Sequence, residues 1–135
     1  MDVLMPVTKD RVEDVVKLFA QAWWTKNRSA EDVADILNES DLTAGIVDGD
    51  QLVAFVRALT DWRFKAVVMD LIVDDSYRNI GLGRRLCEVL LKDPRVAAIE
   101  DVELYCHSDL VGYYAAMGFV QPPETQFMRR SNSTS

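Results

Sequence analysis

Apolar residues in the first forty positions recur at helical spacing, and after Leu42 the pattern turns strand-like. Val12, Val15, Val16, Phe19 and Ala20 fall three and four apart, a period that places side chains on one face of a helix. Residues 3–7 ahead of them read as a short first strand, with Thr8 as an N-cap whose hydroxyl satisfies a first-turn amide. This helix is expected to end near Trp23, Trp24 and Thr25. Ser29, with Asp32 three residues on and Val33, Ile36 and Leu37 following, opens a second short helix through a relative of the capping box, ending about Asn38.

Residues 42–47, 51–59 and 64–73 are rich in β-branched and apolar side chains, as strands are. Asp48-Gly49-Asp50 is a hairpin turn signal because glycine accepts positive φ, and residues 60–63 make the second reversal. The third strand, nearly continuous in apolar residues from Ala66 to Val73, is expected to be central and covered on both faces. A helix with Leu86, Val89, Leu90 and Leu91 on its apolar side follows, stopped at Asp93-Pro94. Residues 102–106 form another strand and 110–117 a short helix with Gly118 at its C-cap. A strand begins at Phe119, and 127–129 pair at the sheet edge. The order β-α-α-β-β-β-α-β-α-β gives an α/β (α+β) fold with helices on both faces of a mixed sheet. Residues 1–130 are expected to form a single domain, with a polar tail over 131–135.

Composition narrows the class. The chain of 135 residues is 49% hydrophobic and 27% charged with a net charge of −7, an ordinary globular balance that buries roughly two thirds of its unfolded surface. So acidic a surface repels a phosphate backbone, and no nucleic-acid partner is expected. Cys87 and Cys106 are the two cysteines; they make no C-x-x-C pair and suit a reducing compartment, with no metal site expected. The first sixteen residues lack the basic flank and apolar run of a signal peptide. No stretch approaches the roughly eighteen apolar residues of a membrane helix, so the expectation is a cytoplasmic protein with no membrane partner.

The informative segment is Arg78-Asn79-Ile80-Gly81-Leu82-Gly83, where a buried strand turns directly into a helix. Glycines there let backbone approach a ligand, and the free first-turn amides with the helix dipole suit a phosphate or pyrophosphate. Arg78, Arg84 and Arg85 place three cations nearby. As G-x-G-x-x-G the segment is incomplete, because Leu86 stands at the third glycine. The glycines also follow a meander instead of opening a βαβ unit, and no G-K-[ST] occurs for a P-loop.

Read as R-x-x-G-x-G, the segment resembles the pyrophosphate motif of the GCN5-related N-acetyltransferases, the GNAT family. The run His107 to Phe119, HSDLVGYYAAMGF, is similar to the family's N-x-x-A-x-x-F-Y-x-x-x-G-F segment, and the order of elements matches over nearly the whole chain. The resemblance implies a mostly antiparallel sheet of about six or seven strands, splayed at the cofactor site. It implies acetyl-CoA as cofactor, with Leu71, Ile72 and Val73 contacting pantetheine through the main chain and the Leu71 amide polarising the thioester carbonyl. Main-chain groups of Asn79, Ile80, Gly81, Leu82, Gly83 and Arg84 would hold the pyrophosphate, Arg78 beginning the motif. Tyr114 stands at the tyrosine that protonates the departing thiolate. His107 replaces the usual asparagine and serves either positioning or base chemistry. Leu110 replaces a small alanine. Where some members carry a strand glutamate as base this chain has Val67. Asp70 is a further base candidate, its buried charge equally open to pairing with an arginine.

The acceptor is implied near the loop between the first two helices, giving Trp23, Trp24 and Arg28 as candidate contacts and Trp62 as an addition. One tryptophan can line an aromatic pocket for an aralkyl amine or a cation. The expected function is transfer of an acetyl group to a primary amine, on a small molecule or a peptide, by direct attack in a ternary complex. A non-catalytic acyl-CoA-binding sensor or interaction module is the alternative, and a Rossmann-type nucleotide domain a third reading. Dimers are frequent in the family, so a homodimer is among the expectations.

Overall fold

Strand periodicity takes over at Leu42, and there the three long strands of the sheet begin. The computed structural model describes residues 1–132, so the polar tail expected over 131–135 lies outside the described residues from 133 on. Contacts gather into two compact units, Met1–Leu104 and Tyr105–Ser135.

The first unit carries a sheet in the order β1-β2-β3-β4-β5: β1 (Asp2–Leu4), β2 (Leu42–Asp48), β3 (Gln51–Thr60), β4 (Lys65–Val73) and β5 (Asp101–Glu103). The first four pair antiparallel and β5 joins β4 parallel. One face is covered by α1 (Val12–Phe19) and α2 (Ala30–Glu39), whose Val15, Leu18, Phe19, Val33 and Leu37 pack with Phe55 and Ile72. The Phe19 and Phe55 rings meet edge to face at 5.6 Å, the arrangement favoured by aromatic quadrupoles. On the other face, α3 (Leu82–Lys92) and α4 (Pro94–Ala97) bring Leu82, Leu86, Leu90 and Val96 against Ala44, Ile46, Val53 and Val56. Fully burying each such side chain contributes roughly 1.5–3 kcal/mol.

Several boundaries differ from expectation. The first strand stops at Leu4, because Pro6 offers no N–H to a ladder and the Val7 main chain bonds the Thr43 hydroxyl instead, at 2.9 and 3.3 Å. Helix α1 ends at Phe19, four residues before Trp23, since the buried Thr25 hydroxyl donates to the Phe19 carbonyl at 2.7 Å and closes the helix end. Thr8 makes no cap bond; its hydroxyl joins the Asp10 carboxylate over a 3₁₀ turn, Lys9–Arg11. Ser29 and Asp32 form a full reciprocal capping box, at 3.1 and 2.9 Å. Gly49 and Trp62 take positive φ in the two reversals, and the Asp61 carboxylate gathers the N–H groups of Arg63, Phe64 and Lys65.

The second unit is built around a 3₁₀ turn, Ser108–Leu110, and α5 (Val111–Ala115). Gly118, at φ +95°, ends it. The Phe119 N–H reaches back to the Tyr114 carbonyl at 3.2 Å, a Schellman closure. The sheet has five strands where six or seven were expected, and among the described residues neither the strand from Phe119 nor the edge pairing of 127–129 forms. Pro122 and Pro123 remove two donors a ladder would need. Instead Phe127 stacks on Tyr105 at 4.8 Å and the Arg129 guanidinium covers Phe127. The strand expected over 102–106 is confined to Asp101–Glu103.

Candidate functional site

Strand β4 has two different edges. Its pairing with β5 covers only Lys65–Val67, so residues 68–73 have a strand partner on the β3 side alone among the described residues. The sheet opens there. The β3 register, Arg57 with Met69 and Phe55 with Ile72, leaves Val56 opposite both Asp70 and Leu71. Asp70 sits at φ +57°, and the extra residue is a bulge of the kind that re-aims a strand. Its effect shows in the packing. Val68 enters the α3 cluster and Ile72 the α1–α2 cluster, although residues four apart on a regular strand share a face.

Asp70, 8% exposed, lies between two arginines. Its Oδ2 accepts from Arg57 Nε at 2.6 Å and from Arg28 Nη1 at 2.8 Å. Arg57 also donates to Ser40 Oγ at 3.4 Å, and the Ser40 hydroxyl donates to the Ile36 carbonyl at 2.6 Å. Arg28 lies over the Phe19 ring at 5.3 Å. A buried carboxylate needs such partners; of the two openings the sequence left for Asp70, the structure displays the arginine pairing. Arg57 was not singled out from the sequence, yet it is the sole charge in the run 51–60, which is signal enough for a partner.

Beyond Val73 the chain is braced before it turns. Asp74 accepts from Gln21 Nε2 at 3.0 Å and from the Ser76 N–H at 2.9 Å, and Gln21 Oε1 accepts from the Asp75 N–H at 2.8 Å. The Gln21 amide first, and the Ser76 N–H second, hold the Asp74 carboxyl below its ordinary range. Tyr77 donates to Asp48 at 2.7 Å, and that bond raises the phenol's pKa. Gln21 carried no motif and escaped the sequence.

In the turn, Asn79 and Gly81 adopt φ +65° and +85°. Gly81 is the N-cap of α3 and supplies no side-chain acceptor; no acidic residue occupies the first turn. The first helical bond runs from the Arg85 N–H to the Gly81 carbonyl at 3.0 Å. The amides ahead of it are the ones a helix leaves for an anion, so these residues fit a pyrophosphate. A Cβ on Gly81 would meet nothing within 4 Å; glycine is required here by dihedral angle, not by space. The three arginines expected to add charge are each engaged: Arg78 with Asp75 at 2.9 Å and the Val73 carbonyl at 3.2 Å, Arg84 with Glu88 at 2.9 Å, and Arg85 with the Met1 carbonyl at 3.1 Å.

Trp23 and Trp24 meet edge to face at 5.7 Å and are 76% and 46% exposed. Both lie in the loop between α1 and α2, Trp24 four residues before Arg28 and five before Ser29. In the second unit Tyr114 has its ring edge-on to Tyr113 at 5.1 Å and to Phe119 at 6.1 Å. His107 Nδ1 is 2.6 Å from Asp109 Oδ1, both side chains exposed. Leu110, at the family's alanine position, is also exposed.

The sequence profile of the acetyltransferase (GNAT) family matches residues 10–119, and the chain belongs to that family. A GNAT-family acetyltransferase from Streptococcus pneumoniae superposes with a TM-score of 0.74 at 26% identity, covering 96% of this chain and 98% of that one. An N-acetyltransferase from Thermoplasma acidophilum, solved in complex with coenzyme A, shares the fold at 16% identity, with a TM-score of 0.70 and 87% of each chain covered. Serotonin N-acetyltransferase 2, a chloroplastic protein of Oryza sativa subsp. japonica, is 40% identical over 72 residues, 53% of this chain. The match spans only 36% of that relative's length. Members of the family use acetyl-CoA. No helix of the described residues is long and apolar enough to cross a membrane.

Proposed function

We propose that this chain is an acetyl-CoA-dependent N-acetyltransferase, residues 1–130 acting as one domain on a primary amine by direct attack in a ternary complex. The observation that carries the reading is the uncapped N-terminus of α3, with left-handed Asn79 and Gly81, eight residues beyond a strand whose outer edge has no strand partner over 68–73 among the described residues. In this reading the first-turn amides and main-chain groups from Asn79 to Arg84 take the pyrophosphate. The open edge by Leu71, Ile72 and Val73 takes pantetheine as an added strand would be taken. When bound, the thioester supplies the activated acetyl group. The Leu71 amide donates to its carbonyl, a placed donor of the kind that stabilises developing negative charge. The Tyr114 hydroxyl delivers a proton to the departing sulfur, and His107, oriented by Asp109, takes one from the acceptor's ammonium so that the neutral amine attacks. The exposed pair Trp23 and Trp24 receives the acceptor; an aralkyl amine suits it, in keeping with a relative named for serotonin. Free thiols at Cys87 and Cys106 support the reducing compartment expected of a cytoplasmic protein.

The experiment is a steady-state screen of primary amines, including aralkyl amines and short peptides, reading free coenzyme A. Intersecting double-reciprocal lines are expected; parallel lines with an acetylated enzyme sink the ternary complex. The engagement of Asp70 by two guanidiniums, with Val67 at the family's strand-glutamate position, keeps the sensor module as a second reading. Saturable acetyl-CoA binding with no thiol release from any acceptor would establish it.

A further inference from the structure

We infer that Asp70 is a positioning residue: clamped by Arg57 and Arg28, it fixes the bulge of β4 and so sets the aim of the Leu71 amide. The inference rests on the proposed function, which gives that amide the thioester carbonyl to polarise. Two features separate Asp70 from a charge that is merely buried and paired.

The first is backbone. Asp70 holds φ +57° inside a bulge that opposes Val56 with two residues. Glycine serves such a position without strain, and an L-residue keeps it only where the surroundings over-determine it. Here they do. Arg57 occupies the β3 register position just before the bulge, pairing Met69, and reaches Asp70 Oδ2 at 2.6 Å. The bulge is therefore pinned from the neighbouring strand by a charge-assisted bond, and a change in the Asp70 torsions would break it. The residue that follows, Leu71, takes its orientation from those torsions.

The second is connectivity. The same oxygen accepts from Arg28 at 2.8 Å, and Arg28 ends the loop that carries Trp23 and Trp24 and precedes the Ser29 cap of α2. Arg57 continues through Ser40 to the Ile36 carbonyl near the other end of α2. One carboxylate thus ties the bulge to both ends of α2. Side-chain exposures of 5% for Asp70 and 14% for Arg57 keep water from substituting for the Arg57 bond; Arg28, at 29%, is the more exposed partner. The clamp links the strand that would hold the thioester to the loop proposed for the acceptor.

The test uses the full chain with Asp70→Gly, which accepts the left-handed backbone but removes the clamp, and Asp70→Asn, which keeps an oxygen acceptor. Coenzyme A and acetyl-CoA differ by the carbonyl that the Leu71 amide would meet. Calorimetry with both is paired with infrared difference spectra of 1-¹³C-acetyl-CoA bound to each variant. Wild-type protein is expected to lower the carbonyl stretch relative to the free thioester. Asp70→Gly should return it toward the free value and lower kcat tenfold or more, with coenzyme A affinity held within about twofold, and Asp70→Asn should restore most of the shift. Should Asp70→Gly not fold, Arg28→Gln, which leaves the Arg57 bond in place, is expected to give a smaller shift in the same direction. A carbonyl band unmoved from wild type in Asp70→Gly, or in Arg28→Gln where the glycine variant does not fold, overturns the clamp. A wild-type band equal to that of free acetyl-CoA, or no binding of either ligand, strikes the proposed function instead.

Discussion

Glycine at φ +85° carries no penalty, whereas an L-residue there costs roughly 1–2 kcal/mol. Gly81 and Gly49 both have positive φ with no atom within 4 Å of an added Cβ, so Gly81→Ala and Gly49→Ala should destabilise the protein alike. In chemical denaturation each is expected to lose about 1 kcal/mol. Only Gly81→Ala should also weaken acetyl-CoA binding, since Gly49 lies in the β2–β3 hairpin; equal affinities in both variants would remove the turn from the cofactor site. Tyr114→Phe keeps the ring contacts with Tyr113 and Phe119 and deletes only the hydroxyl. An acid role then predicts a kcat about tenfold to a hundredfold lower with acetyl-CoA affinity unchanged, and an unaltered turnover dismisses it. Residue chemistry was legible where it followed from charge in an apolar run. Asp70 in β4 was bound to need a partner, and the adjacent strand gave it Arg57. The left-handed angle at Asp70 was not legible, because aspartate adopts it only when context imposes it.

Caps and turns act over whole elements, and here the two candidate N-caps separate. Ser29 takes part in a reciprocal box with Asp32, while Thr8 caps nothing. Ser29→Ala should therefore cost about 1 kcal/mol and Thr8→Ala much less, a contrast that thermal unfolding reads directly. The turn after β4 offers a pH test. Because the folded state holds the Asp74 carboxyl below its ordinary range, its bonds to Gln21 and Ser76 stabilise the fold above the unfolded carboxyl's pKa, near 3.9. That stabilisation is lost as pH falls through the lower, folded value. Denaturation midpoints below about pH 4 should drop more steeply for wild type than for Asp74→Asn, which lacks the titrating group; parallel slopes would discount the brace. Periodicity revealed every long element, β2 to β4 and α1 to α3, within a few residues. It failed where side chains outbid local pattern: Thr25 closing α1 early, Thr43 taking the Val7 main chain, and prolines at 122 and 123 denying a last strand its donors.

Over the whole molecule the cofactor has to be recognised against an unfavourable field, a net charge of −7 opposing an anionic ligand. The arginines near the turn have acidic or carbonyl partners of their own, so main-chain groups must do most of the recognition. That divides the site into two parts, the amides at the head of α3 and the open edge of β4. In the proposed reading the first would accept any pyrophosphate. The second would accept only a chain with amides to pair, as pantetheine has. NAD shares the pyrophosphate and lacks such a chain, so the two ligands measure the parts separately. A ligand at a hundred times its Kd raises stability by about 2.7 kcal/mol, which in a domain of this size moves Tm by roughly 10 °C. Coenzyme A at that level should give such a shift, and NAD at the same concentration only a small fraction of it. Gly81→Ala should shrink the coenzyme A response by disturbing the first part alone. Equal shifts from the two ligands would mean that the strand edge contributes nothing and that the turn is a general phosphate site.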